Sequence, residues 1–467
     1  MARIVICGGS MIGLATGMML VRDGHEVAVL EQDPVAPPEP CDGWSWERRG
    51  VAQFRQPHNL FARARQVLDD ELPGVTQAML DAGCVWVDPL ATMPPFIEDR
   101  SPRPNDDALR FVTGRRPVLE ATLASLAAQQ HGLTVRRGVS VAGLGLSSPA
   151  RAEDDGVPNV DRVLLADGDE LRADLVVDAM GRRSKLCEWL ADVGAAPPYQ
   201  EAEDSGFVYY TRFYRGPNVP ALFGPPAMPI GTISLLTLFG DNDTWSVTVW
   251  GSADDAALRG LKDPARFEAV VRACPLQAHW LAGEAITDVL PMAGVMDKYR
   301  RFVVDHRPVI TGVAAVGDAW ACTNPSAGRG ISVGLAHAQT LRRCVAGGIG
   351  DPWEFAVRFD AMTQEAVTPF YREQVANDRA RVAEMNALRD GSPLPPPDPG
   401  AAAVGAALLH DADVFRGLME MVTCLSTAAE IFSRPLMVER IAQYAGQEPF
   451  PFPGPTREQL LELVGGG

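Results

Sequence analysis

Six residues near the start, Gly8-Gly9-Ser10-Met11-Ile12-Gly13, have the types and spacing of a turn that holds a diphosphate. Gly8 permits the tight turn, and Ser10 is small enough to leave the backbone near the phosphates. Gly13 lets a following helix pack on a sheet. That helix presents free N–H groups and a positive dipole end to an anion. Glu31, with Gln32 behind it, lies 18 residues past Gly13. A carboxylate there is placed to accept hydrogen bonds from a ribose diol and disfavours a 2′-phosphate, so the nucleotide is FAD or NAD rather than NADP. The elements that must position these residues are legible around them. Arg3 to Cys7 reads as a buried strand, Leu14 to Val21 as a helix stopped by Arg22-Asp23-Gly24, and Glu26 to Glu31 as a second strand. Without that strand–turn–helix–strand context an ordinary glycine-rich turn would be the plainer explanation.

Four further segments carry chemistry. Gly50 to Leu60 contains Arg55 and His58, and His58 reads equally as a turn residue after Pro57. Gly114-Arg115-Arg116-Pro117-Val118-Leu119-Glu120 opens a helix. Arg162 to Leu165 and Leu175 to Val177 read as a hairpin about Asp167-Gly168, running into Asp178-Ala179-Met180-Gly181-Arg182-Arg183. Val313 to Val316 reads as a strand before Gly317-Asp318, then Asn324-Pro325-Ser326-Ala327-Gly328-Arg329-Gly330 and a helix from about Ile331 to Arg343.

In this order the motifs resemble FAD-dependent monooxygenases of the aromatic-hydroxylase type, whose wider relatives include geranylgeranyl-type reductases and flavin halogenases. The resemblance spans about residues 2–345. It implies an α/β fold: a Rossmann-type FAD-binding domain, an inserted antiparallel β-sheet substrate domain and a C-terminal helical region. It implies that Asp318 binds the ribityl or ribose part of FAD, beside Gly317. Gly328, Arg329, Gly330 and Ile331, led in by Pro325, would lie against the flavin ring. A helix N-terminus there favours the anionic reduced form. Arg116 would sit near FAD, as would Asp178 and Gly181, while Arg55 and His58 in the segment crossing the flavin are the catalytic candidates. The family's Asp-Gly pair is Met180-Gly181 here, which weakens the expected handling of a nicotinamide donor. Reduction is then expected from NADPH or NADH bound transiently, with Arg182 and Arg183 available to a diphosphate, or from a separate flavin reductase.

Composition narrows the alternatives. Acidic residues number 59 against 42 basic ones, a formal charge of −17, which argues against nucleic acid or an anionic membrane as partner. Only Lys185, Lys262 and Lys298 are lysines, so amine chemistry has three candidates; codon bias is the plain cause. The eight cysteines and seven histidines lack metal-ligand spacing, and no disulfide framework is expected of a cytoplasmic chain. No apolar run reaches the roughly 18–20 residues of a membrane span.

The expected organisation is residues 1–200 and 291–390 as the two parts of the FAD-binding domain, 201–290 as the substrate domain, and 400–467 as the helical region. Strand-like segments at Phe207–Tyr214, Thr232–Phe239 and Thr244–Trp250, the last two joined by Asp241-Asn242-Asp243, place Tyr210, Phe239 and Trp250 as substrate-binding candidates. A Pro-rich stretch, Gly391 to Gly400, is expected as a linker or crossover loop before helices near 401–424 and 426–445, which cap the site or pack a dimer. The resemblance implies transfer of one oxygen atom from dioxygen, by way of a flavin hydroperoxide, to a small apolar or aromatic substrate, by hydroxylation or epoxidation. A double-bond reductase shares the FAD motifs. A halogenase would need an early lysine and a mid-chain Trp-x-Trp-x-Ile-Pro; Trp44-Ser45-Trp46 lacks the Ile-Pro, and no lysine precedes Lys185. A non-catalytic nucleotide-binding protein is the alternative outside enzymes.

Overall fold

A computed structural model describes the chain except residues 49, 52, 148–155, 205, 395–398, 448–450 and 466–467. The chain opens with β1 (Arg3–Cys7), α1 (Met11–Arg22) and β2 (Glu26–Glu31). β3 (Pro57–Leu60) and β4 (Phe111–Arg115) precede α2 (Arg116–Gln129) and β5 (Leu133–Arg137). β6 (Leu175–Asp178) comes before β7 (Phe207–Arg215), β8 (Ala227–Ile230), β9 (Ile233–Phe239) and β10 (Thr244–Ser252). β11 (Val313–Ala315) leads to α3 (Gly330–Ala346), then α4 (Thr368–Asp390), α5 (Pro399–Ala407) and α6 (Ala412–Val422).

β11, β6, β1, β2 and β5 lie side by side in one parallel sheet. Both faces are covered, which is why β1 reads as an unbroken apolar run. Ile4 and Ile6 pack toward α1 and α3, while Val5 and Cys7 join Val176 and Trp189 on the other side. A second, antiparallel sheet runs β8-β9-β10-β7 and continues to Glu284–Ala285. The architecture is thus α/β, with inserted antiparallel sheet and a helical C-terminal region.

Two expectations change. The hairpin about Asp167-Gly168 pairs Val160–Leu165 with Glu170–Arg172, not with Leu175–Val177. Leu175–Asp178 instead lies between β1 and β11, because the apolar run 175–177 is buried on both faces inside the parallel sheet. The C-terminal helices are shorter than expected: α5, α6, Ala428–Phe432, Pro435–Ala442 and Arg457–Leu463. Asp411 restarts the helix at α6 by accepting the N–H groups of Asp413 and Val414 at 2.9 and 3.0 Å, and Pro435 starts the next. The centre of the Pro-rich stretch, 395–398, lies outside the described residues. Among the described residues no helix is long and apolar enough to cross a membrane.

One buried ion pair ties the inserted antiparallel sheet to β4, which pairs with β3 in a separate small antiparallel sheet. Asp241, in the β9–β10 turn, is fully buried. It accepts the Arg115 N–H at 2.7 Å and the guanidinium at 3.0 and 2.6 Å. The turn itself uses left-handed backbone at Asn242 and Asp243 (φ 49° and 57°), as a two-residue hairpin turn requires. Asp241→Ala leaves Arg115 buried without a counterion. It is expected to cost about 3–5 kcal/mol, read as a lower urea midpoint; a loss below ~1 kcal/mol contradicts this role.

Candidate active site

The β1–α1 turn closes because its glycines carry no side chain. Gly8 sits at φ +113°, and a Cβ there would lie 2.4 Å from the Ala179 carbonyl oxygen. A Cβ on Gly13 would lie 1.9 Å from the Gly8 oxygen. Gly8, Gly9 and Gly13 therefore shape the turn, while Ser10, Met11 and Ile12 face a cavity of about 660 Å³. Two helices begin at this cavity, α1 after Ser10 and α3 after Arg329, and neither has a side-chain cap on its free N–H groups. A Cβ on Gly330 would meet nothing within 4 Å, and Gly328 adopts φ +67°. Pro325, Arg329 and Ile331 line the same wall. Arg329 is fixed by Glu373 at 2.7 Å.

Behind Ser10 runs a buried chain of charges. Arg48 bridges Glu31 and Glu120, its Nη1 donating to Glu120 at 2.6 Å. Glu120 also accepts from the Ser10 hydroxyl at 2.5 Å and Arg116 Nε at 2.9 Å. Arg116 reaches Ser10 Oγ at 3.2 Å and His58 Nε2 at 3.4 Å. Burial alone would raise the Glu120 carboxyl, but Arg116, Arg48 and the Ser10 hydroxyl hold it down at about 2. Burial and then the Arg116 charge push His58 down to about 3, so its imidazole is neutral. Its Nδ1 lies 2.8 Å from the Gln56 carbonyl, which makes Nδ1 the protonated nitrogen. His58 lines the cavity as a hydrogen-bonding group and is a poor base at neutral pH.

Several predicted residues lie elsewhere. Arg55 is not on the cavity wall: its guanidinium stacks over Trp44 at 4.3 Å and donates to the carbonyls of Trp44 and Trp46. Asp178 is consumed by its own turn, accepting from Met180 N–H at 2.9 Å and from the Ser184 hydroxyl. Burial pushes its carboxyl up to about 6, against those two bonds. Gly181 and the neighbouring Arg182 do face the cavity. Gly317 shapes the turn at φ +59°, and the adjacent Asp318 lines the wall. Burial raises the Asp318 carboxyl, with Arg116 and Arg182 opposing. Glu31 lies off the cavity wall, as does Gln32. It accepts Gly9 N–H at 3.1 Å and Asp33 N–H at 2.9 Å besides Arg48.

The substrate candidates are the clearest correction. Strand alternation turns Leu236 and Leu238 of β9 toward the cavity and Phe239 to the opposite face, against Trp280 at 5.4 Å. Tyr210 is buried in that same helix-covered core. Trp250 is covered by Tyr209 and Met385. The apolar wall is built instead by Leu236, Leu238, Met292 and, from the C-terminal region, Leu408 just after α5 and Phe415 and Met419 of α6.

Arg48 and Glu120 were missed in the sequence. Glu120 had a signal, being four residues after Arg116 on α2; Arg48 had none, since its partners are distant in the chain. The residues present fit a dinucleotide. Among the described residues, Trp46 Nε1 and Arg137 Nη1 are buried donors with no hydrogen-bond partner. Both groups stand near Glu31, with the Arg137 guanidinium over the Trp46 ring at 5.4 Å and Glu31 paired with Arg137 across β2 and β5. Acceptors on a nucleoside would satisfy them.

No family model matches the chain. Protein Rv3254 of Mycobacterium tuberculosis is 27% identical over 381 residues, 73% of this chain and 72% of that protein. Among solved structures, PqsL of Pseudomonas aeruginosa ("a probable FAD-dependent monooxygenase") superposes with a TM-score of 0.60 and 16% identity over 83% of this chain and 97% of that one. The flavin-dependent brominase Bmp2 gives 0.61 and 16%, over 94% and 98%. The chain has the fold of the flavin-dependent monooxygenases.

Proposed function

We propose that the chain is an FAD-dependent monooxygenase acting on a small, largely apolar molecule. The observation that carries this reading is a single cavity joining two uncapped helix N-termini to an apolar chamber. In this reading residues 1–200 and 291–390 form the FAD-binding domain, 201–290 the substrate domain and 400–467 a helical region that closes the chamber.

Ser10 to Ile12 and the α1 N-terminus hold the diphosphate, with Arg116 presented by Glu120 as its counter-charge. Asp318 takes the ribityl hydroxyls, and the free donors of Trp46 and Arg137, behind the cavity wall beside the Glu31–Arg48 pair, are the groups for the nucleoside end. Pro325 and Gly328 to Ile331 support the ring, and the α3 dipole favours negative charge there. When bound, reduced FAD supplies the chemistry, activating dioxygen for transfer of one oxygen atom. The protein's part is to orient the substrate on Leu236, Leu238, Met292 and Met419, and to keep water from the reacting atoms. Neutral His58, held by the Gln56 carbonyl at Nδ1, offers Nε2 to Arg116 and so helps position that guanidinium; it does not remove a proton. The reductant is NADPH or NADH bound transiently near Arg182 and Arg183, or a separate flavin reductase.

Bmp2 is a brominase, so halogenation is the competing reading. It is disfavoured because no lysine is among the residues lining the cavity. Incubation with FAD is expected to give a yellow protein. With an added flavin reductase, nicotinamide donor and a panel of apolar aromatics, mass spectrometry is expected to show a gain of one oxygen atom. A gain of two hydrogens points to a reductase, a gained halogen to a halogenase, and a colourless protein sinks the flavoenzyme reading.

Arg116→Leu is expected to weaken FAD roughly 10–100-fold, the loss of a charge-assisted contact of ~1.5–3 kcal/mol, read by flavin fluorescence quenching. Met419→Trp, which fills the chamber, is expected to abolish product while FAD affinity stays within about twofold, a change of ~0.4 kcal/mol. Unchanged turnover in Met419→Trp would place the substrate elsewhere.

A further inference from the structure

The ring-supporting loop has a buried acid behind it that the oxygenase reading does not use. Ser326 lines the cavity, and its hydroxyl is bonded to Asp378 on α4. Gln374, one turn earlier on α4, donates to Ser326 Oγ at 2.7 Å and to the other Asp378 oxygen at 3.0 Å. Asp378 is 3% exposed. The Ser326 hydroxyl is therefore the connection between this carboxyl and the cavity.

We propose that Ser326 and Asp378 form a proton relay into the cavity, with Gln374 as a positioning residue that holds the pair in register. This rests on the flavin oxygenase reading. Reoxidation of a reduced, anionic flavin by dioxygen takes up one proton in either outcome. Both oxygen atoms leave as hydrogen peroxide, or one enters a substrate C–H bond and the other leaves as water. In the relay the Asp378 O–H passes its proton to Ser326 Oγ as Ser326 passes its own to an acceptor oxygen in the cavity. Asp378 is left as a carboxylate, Ser326 keeps a hydroxyl, and solvent restores the carboxyl before the next turnover.

The surroundings suit an acid that titrates near neutrality. Burial pushes Asp378 up to about 6, against the hydrogen bonds from Gln374 and Ser326. Asp297, on the strand Met296–Arg301, raises it further, and Arg329 before α3 lowers it. Tyr209 of β7 faces the same acids, its hydroxyl held by Asn324, whose N–H donates to Asp297 at 2.7 Å. A purely structural role, tying α4 to the loop, would give the same bonds but no proton dependence.

The test uses the FAD-loaded protein reduced under anaerobic conditions and mixed with dioxygen alone, in ordinary and deuterated water. Wild type is expected to reoxidise more slowly as pH rises through about 6, the value to which burial pushes Asp378, with a solvent isotope effect. Ser326→Ala and Asp378→Asn are expected to be roughly a hundredfold slower at pH 6, the low end of general-acid effects, and independent of pH. Ser326→Thr, which keeps the hydroxyl, restores the rate and the pH dependence. Infrared titration of the flavin-free protein is expected to show a carboxyl band that titrates near pH 6 and is absent in Asp378→Asn. Yellow variants that reoxidise with the wild-type rate, pH profile and isotope effect overturn the relay alone. A protein that binds no FAD overturns the oxygenase reading and the relay together.

Discussion

Two arginines and two carboxylates share one buried neighbourhood behind the first helix, and the site depends on their mutual neutralisation. Arg48, Arg116, Glu31 and Glu120 are each at least nine-tenths buried. None would be tolerated there alone, since an isolated buried charge costs several kcal/mol. Together they lock Arg116 beside Ser10 and pin Glu31 to Gly9. In the proposed reading the consequence is preorganisation: the groups that would meet a diphosphate are already in place, so little ordering would remain on binding.

The same chain of contacts explains the state of His58. An arginine on one side and a carbonyl on the other leave the imidazole neutral, with one donor and one acceptor. The cavity therefore holds hydrogen-bonding groups and little acid–base power at its polar end. Asp318 is the carboxylate on that wall, and the acid nearest neutrality on the far side is Asp378 behind Ser326. Apolar walls from β9 and from the C-terminal helices take over from there. A flavin enzyme suits this division, because the cofactor brings the reactivity and the protein brings shape and dryness.

What was legible in the sequence was whatever depends on local pattern. The β1–α1–β2 unit, the turn at Asp241-Asn242-Asp243 and the start of α3 follow from glycine placement, alternation and an apolar run. Side-chain direction was less legible. Phe239 and Leu238 are neighbours, yet the pleat sends only Leu238 to the cavity, and β-strand alternation alone does not say which face is covered by a helix. Arg55 had the right residue type in the right segment but turned onto Trp44, a contact set by tertiary packing. Arg48 was invisible because its partners lie 17 and 72 residues away. The cavity wall from α5 and α6 was equally hidden, since nothing local says where a C-terminal helix docks. The surplus of arginine over lysine also has a use in the fold. Planar guanidinium groups serve the stacked and bidentate positions at Arg55 and Arg115, where lysine would not substitute.

In the proposed reading one preformed cradle places a flavin between the α1 turn and the loop before α3, facing the apolar chamber. A crystal structure of the chain grown with FAD tests it most directly. The expected density places the diphosphate at Ser10 to Ile12 beside Arg116, and the flavin ring along Pro325 to Ile331 with one face open to Leu236 and Met292. No bound FAD, or a flavin seated away from that loop, would contradict it.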